Sequence, residues 1–147
     1  MNSLVVFTDG GARGNPGPAA IGVVIQDEKG DIVKQFAKKI ESATNNVAEY
    51  MAVIEALKWI VCHPEHSEGS HWDSSAKPQN DIIFFLDSKL VVNQLNGLFK
   101  IKNANLRELL FKVRELEADT KAEIHYQLIP REKNQLADRL LNEALDS

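Results

Sequence analysis

Five apolar residues in succession, Ile82-Ile83-Phe84-Phe85-Leu86, run straight into Asp87. Apolar side chains at consecutive positions predict a strand covered on both faces, and such a strand needs a sheet with helices packed on it. Residues 4–8 are also apolar and β-prone and end at Thr8-Asp9. The stretch Gly10-Gly11-Ala12-Arg13-Gly14-Asn15-Pro16-Gly17-Pro18 reads as a loop. Ile21 to Ile25 reads as a strand, Asp27-Glu28-Lys29-Gly30 as a turn, and Asp31 to Ile40 as a third strand. Three short strands joined by tight turns predict an antiparallel meander.

The hydrophobic period then changes. Val47, Tyr50, Met51, Ile54, Leu57 and Val61 follow the spacing of an amphipathic helix, with Thr44, Asn45 and Asn46 before it as capping candidates. Ser88 caps a short helix that Asn96-Gly97 stops, and Leu106, Leu109, Leu110, Val113 and Leu116 outline another. Ile124 to Ile129 reads as a strand closed by Pro130, and Gln135 to Leu145 as a final helix. The order β-β-β-α-β-α-α-β-α predicts an α/β fold with a mixed sheet flanked by helices.

The 147 residues suit one domain spanning 1–147, and no internal repeat is visible. Residues 62–81 are polar, aperiodic and rich in Ser and Pro, and read as an exposed insertion. Cys62, His63, His66 and His71 within it match no standard zinc spacing. The chain holds 21 acidic and 17 basic side chains, net charge −4, so no basic patch announces itself. No apolar run is long enough to span a membrane, and the segment before Asp9 has no basic region of a signal peptide. The lone Cys62 excludes an internal disulfide framework. The expectation is a cytoplasmic monomer with no membrane and no obligate protein partner.

Four acids stand at the ends of elements. Asp9 and Asp87 end strands, and Glu49 and Asp138 lie in the first turns of the first and last helices. A capping role for the first pair and a favourable helix-dipole interaction for the second would also explain these positions. If the four converge, mutual repulsion and desolvation call for divalent cations, and an oxygen-only ligand set suits Mg²⁺ or Mn²⁺. Two such ions about 3.5–4 Å apart would clamp the attacking and leaving oxygens of a phosphodiester.

The segment Phe7-Thr8-Asp9-Gly10-Gly11-Ala12-Arg13-Gly14-Asn15-Pro16-Gly17-Pro18 resembles the opening motif of type 1 ribonuclease H. Thr44-Asn45-Asn46-Val47-Ala48-Glu49 and Phe85-Leu86-Asp87-Ser88 are similar to that family's second and third motifs. Pro130-Arg131-Glu132-Lys133-Asn134-Gln135-Leu136-Ala137-Asp138 resembles the fourth, in a form common among compact bacterial and archaeal members. The resemblance implies a ribonuclease H-like fold with a five-stranded mixed sheet. It implies an endonuclease that cuts the RNA strand of RNA–DNA hybrids with two ions, Mg²⁺ or Mn²⁺, and leaves 3′-hydroxyl and 5′-phosphate ends. Asp9, Glu49, Asp87 and Asp138 match the family's catalytic, metal-binding acids. Gly10, Gly11, Arg13, Asn15, Thr44, Asn45, Asn46 and Lys89 are the implied substrate-binding positions, with Thr44 facing the DNA-strand phosphate.

The chain departs from the family pattern in several places. Leu128 to Ala137 lacks the loop histidine that many members carry, and His125 upstream reads as a packed or edge residue. Arg131, Glu132 or Lys133 are candidates for its role. Only Leu98 to Asn105 stands where larger members insert a basic handle, leaving Lys100 and Lys102 for phosphate contact. Other enzymes on this fold lack the Gly-Asn-Pro-Gly and Thr-Asn-Asn segments. The alternative of a non-catalytic hybrid-binding module expects a lost metal acid, and all four are present. Deleting most of 63–80 should leave folding and hybrid cleavage intact, as read by circular dichroism and a nuclease assay. An unfolded product would show that the segment packs.

Overall fold

A computed structural model describes residues 3–63 and 81–147. Strands β1 (Leu4–Ala12), β2 (Gly17–Asp27) and β3 (Ile32–Ala43) precede helix α1 (Asn45–Cys62). Strand β4 (Asp81–Leu86), helices α2 (Lys89–Leu95) and α3 (Ala104–Thr120), strand β5 (Glu123–Leu128), a short 3-10 turn (Arg131–Lys133) and helix α4 (Gln135–Asp146) follow. The five strands form one mixed sheet in the order β3-β2-β1-β4-β5. The expected meander is present, with β1–β2 and β2–β3 antiparallel, and β4 adds in parallel between β1 and β5.

The core lies between this sheet and α1. Tyr50, Val53, Leu57 and Ile60 of the helix are fully buried with Val6, Ile21, Val23, Ile25, Ile82, Phe84 and Leu86 of the strands. Thr44 caps α1, its Oγ1 accepting the Val47 N–H at 3.2 Å. Ser88 caps α2 in the same way, and Asn103 caps α3. Helix α4 packs on the opposite side, against β1, β2 and β3.

Three sequence expectations are corrected. Gly10 to Pro18 is not all loop: β1 continues to Ala12, with Gly10 and Gly11 paired to Ile21 and Ala20, and β2 starts at Gly17. Gly10 and Gly22 serve close packing. A Cβ on Gly10 would lie inside the Ala48 carbonyl of α1, and one on Gly22 would lie inside the Ala137 carbonyl of α4. Strand β4 is not equally covered on both faces either. Ile82, Phe84 and Leu86 are buried in the core, whereas Ile83 and Phe85 on the other face are half-buried, since α4 packs chiefly on β1, β2 and β3. Phe85 stacks there on Phe7 at 5.3 Å. The expected insertion is shorter at both ends, since Cys62 completes α1 and Asp81 begins β4; residues 64–80 lie outside the described residues. Among the described residues no helix is long and apolar enough to cross a membrane.

These two backbone approaches predict an asymmetry among glycines. Gly22→Ala should cost about 1–3 kcal/mol by overpacking against α4, on the order of 4–12 °C in thermal midpoint. Gly11→Ala should be nearly neutral, because its Cβ would meet Leu141 Cδ1 at an ordinary 3.5 Å. Equal midpoints for the two variants would contradict the packing described.

Candidate active site

Each acid owes its place to a nearby packing constraint. The parallel register of β1 and β4 pairs Phe7 with Phe85, and two residues further on it sets Asp9 beside Asp87. The contact of Gly10 with Ala48 draws Glu49 down onto the end of β1. Gly22 lies directly across from Asp9 and receives Ala137, which brings Asp138 to the same rim.

Asp9, Glu49 and Asp87 thereby each offer one carboxylate oxygen within 4.8 Å of one another. Asp9 and Glu49 are buried, and the Asp87 side chain is only 2% exposed. Asp138 lines the same open cleft, of about 390 Å³, together with Gly10, Gly11, Arg13, Asn45 and Asn46. Glu49 is not in the first turn of its helix, where the sequence pattern puts it. Helix α1 starts at Asn45, so Glu49 sits one turn deeper and the helix dipole does not explain it. Asp138 does lie in the first turn of α4.

The crowding has an electrostatic signature. Burial, reinforced by the charge of Asp87, raises the pKa of Asp9 from 3.8 to about 7. Burial also lifts Glu49 well above the ordinary range, with the Asp9 charge adding to it. Glu49 Oε2 is buried with no hydrogen-bond partner. A buried carboxylate oxygen without a partner, in a group of oxygen donors short of positive charge, fits a hard divalent cation. Arg131 Nη2 stands 3.9 Å from Asp87 Oδ1, but the Arg131 side chain is 77% exposed and the pair is weak.

The remaining expected residues divide. Asn45 Oδ1 accepts the Ala12 N–H at 2.9 Å, and the Asn45 N–H donates to Asn15 Oδ1 at 3.0 Å. These bonds tie the β1–β2 connection to the start of α1. Arg13 pairs with Asp146 at 2.6 Å across the cleft margin. Asn15 and Thr44 are outside the cleft lining, and Thr44 faces a neighbouring groove with Pro16, Val47, Asn105 and Glu108. Lys89 is exposed at the start of α2 and is not part of the lining either. His125 is solvent-exposed on the edge strand, 3.7 Å from Asp81, at the opposite end of β4 from Asp87. The residue that sequence reasoning missed is Asn134, whose side-chain amide reaches both Thr8 and Asp87. Nothing local in the sequence points to these contacts, which join it to residues 126 and 47 positions away.

The family model for RNase H matches residues 1–146. Bifunctional protein Rv2228c of Mycobacterium tuberculosis is 34% identical over 145 residues, covering 98% of this chain and 36% of the relative. Ribonuclease HI of Halobacterium salinarum is 39% identical over 142 residues, covering 95% of this chain and 63% of the relative. This chain thus spans little more than a third of the mycobacterial protein's length and under two thirds of the halobacterial one's. LC11-RNase H1, isolated from compost, superimposes with a TM-score of 0.86 at 40% identity, covering 99% of this chain and 97% of that one. Its complex with an RNA/DNA hybrid gives 0.84 at 40% identity, covering 97% and 96%. With the family's four motifs meeting at one rim of the expected five-stranded sheet, the chain belongs to the ribonuclease H family.

Proposed function

We propose that this protein is an endoribonuclease that hydrolyses the RNA strand of RNA–DNA hybrids and leaves 3′-hydroxyl and 5′-phosphate ends. In this reading Asp9, Glu49, Asp87 and Asp138 are the catalytic acids and hold two divalent ions, Mg²⁺ or Mn²⁺. The observation that carries it is the convergence of Asp9, Glu49 and Asp87 around the unpartnered Glu49 Oε2, at the floor of an open cleft. When bound, such ions supply positive charge to the phosphoryl oxygens and acidify the attacking water.

The chain's own residues do the positioning. Gly10 and Gly11 line the cleft next to Asp9 and offer their backbone to a bound strand. Asn45 commits its carbonyl oxygen to Ala12, which leaves its amide hydrogens to donate into the cleft it lines. Asn46 lines the cleft beside it. Donors at this margin suit the 2′-hydroxyls by which RNA differs from DNA across a wide minor groove. Arg13 and Lys89 offer charge to phosphate at the rim, and Asn15 and Thr44 organise the strand-facing surface next to it. With few basic contacts, binding should be weak and its salt dependence correspondingly shallow. The reading includes a monomer in a reducing cytoplasm, which the single cysteine, Cys62, suits.

Asp9→Asn and Asp87→Asn should each abolish metal-dependent cleavage of a labelled hybrid while circular dichroism stays unchanged. Full activity in both would refute the metal assignment. The raised Asp9 pKa also makes stability pH-dependent. The unfolded chain loses this proton near pH 4 and the folded chain near 7, so the folded state binds more protons in between. In EDTA the thermal midpoint should therefore fall as pH rises from 5 toward 7 and level off above, more steeply than in Asp9→Asn. Saturating Mg²⁺ should reduce the fall. Identical midpoint profiles for wild type and Asp9→Asn would contradict the electrostatics described.

A further inference from the structure

Asn134 stands at the junction of the site's parts. Its carbonyl accepts the Asp138 N–H at 3.2 Å, inside the first turn of α4. Its side-chain nitrogen donates to the Thr8 carbonyl on β1 at 2.9 Å and to Asp87 Oδ2 after β4 at 3.1 Å. The residue is 1% exposed. Both amide hydrogens are thus spent on two different strands, one beside Asp9 and the other on Asp87 itself. The amide orientation is fixed by these partners, since the reverse would set its oxygen against two other oxygens.

This arrangement carries two costs. Asn134 precedes α4, where an Asn side chain ordinarily caps the helix, yet it makes no capping hydrogen bond. Its Oδ1 is buried without a partner. A residue serving the helix would turn its carbonyl oxygen to the first-turn N–H groups. This one gives up the cap and holds Asp87 against the end of β1.

We propose that Asn134 is a positioning residue that sets the affinity of the acid cluster for divalent metal. It does so by fixing Asp87 relative to Asp9 while its backbone seats Asp138. Only a neutral side chain with two donors on one atom can bind a carbonyl and a carboxylate together without adding charge. Asp of the same shape offers acceptors at both contacts, and Ala offers nothing. Partners that orient metal-ligating groups in this way affect metal affinity about 10–100-fold when removed.

The inference rests on the metal-dependent reading above, and calorimetric titration of Mn²⁺ into the substrate-free protein separates the two. Asn134→Ala and Asn134→Asp should each raise the Mn²⁺ dissociation constant about 10-fold or more. The Mn²⁺ concentration for half-maximal cleavage should rise by a similar factor, with KM for the hybrid unchanged at saturating metal. Val113→Ala, which opens a cavity in the core under α3, should lower the thermal midpoint yet leave the Mn²⁺ titration unaltered. If Asn134→Ala does not fold, the near-isosteric Asn134→Asp carries the test. Wild-type Mn²⁺ affinity in the Asn134 variants would overturn the positioning role and leave the function standing. No Mn²⁺ uptake by wild type itself would overturn the function and the positioning role with it.

Discussion

Two backbone contacts hold the site together. Helix α1 can reach β1 only because Gly10 has no Cβ, and α4 can reach β2 only because Gly22 has none. The residues they admit, Ala48 and Ala137, immediately precede Glu49 and Asp138. Without those approaches the helices would ride higher on the sheet, and the carboxylates they carry would not meet Asp9 and Asp87. The register of β1 with β4 supplies the remaining pair. Packing that would be unremarkable elsewhere in an α/β fold is here the means of bringing negative charges together.

That convergence works against the stability of the metal-free protein. Asp9 and Glu49 both resist ionisation because burial strips water from them and their neighbours repel. Arg131 stands 3.9 Å from Asp87, but its exposed side chain offsets this only weakly. The rest of the chain tolerates the arrangement because the core between α1 and the sheet is continuous and well buried. On the proposed reading, a site strained by its own charge is shaped for the cation that relieves it, and a preorganised charge arrangement of this kind suits phosphoryl transfer.

Much of this was legible in the residues. An acid directly after five apolar residues had to lie at a sheet rim, and the order of strands and helices foretold the mixed sheet. The departures share a cause: a tertiary contact claims a residue whose type has a commoner local role. Gly10 looks like a loop residue, because the pressure for a missing Cβ comes from a helix 38 positions away, at Ala48. Ile83 and Phe85 look as buried as Ile82 and Phe84, because the run of letters does not say how far α4 extends over the sheet. Asn134 looks like a helix cap. Its bonds to Thr8 and Asp87, 126 and 47 residues away, have no local trace.

The most direct test is to offer the purified protein a panel of substrates that share one 5′-labelled RNA strand: single-stranded, paired with RNA, or paired with DNA. Each is incubated in Mg²⁺, Mn²⁺ or EDTA, with a DNA duplex as a further control. Internal cuts in the DNA-paired RNA alone, in either metal and absent in EDTA, are the predicted result. Cleavage that persists in EDTA, cleavage of unpaired RNA at the same rate, or no cleavage of the hybrid in either metal would contradict a metal-dependent enzyme specific for RNA–DNA hybrids.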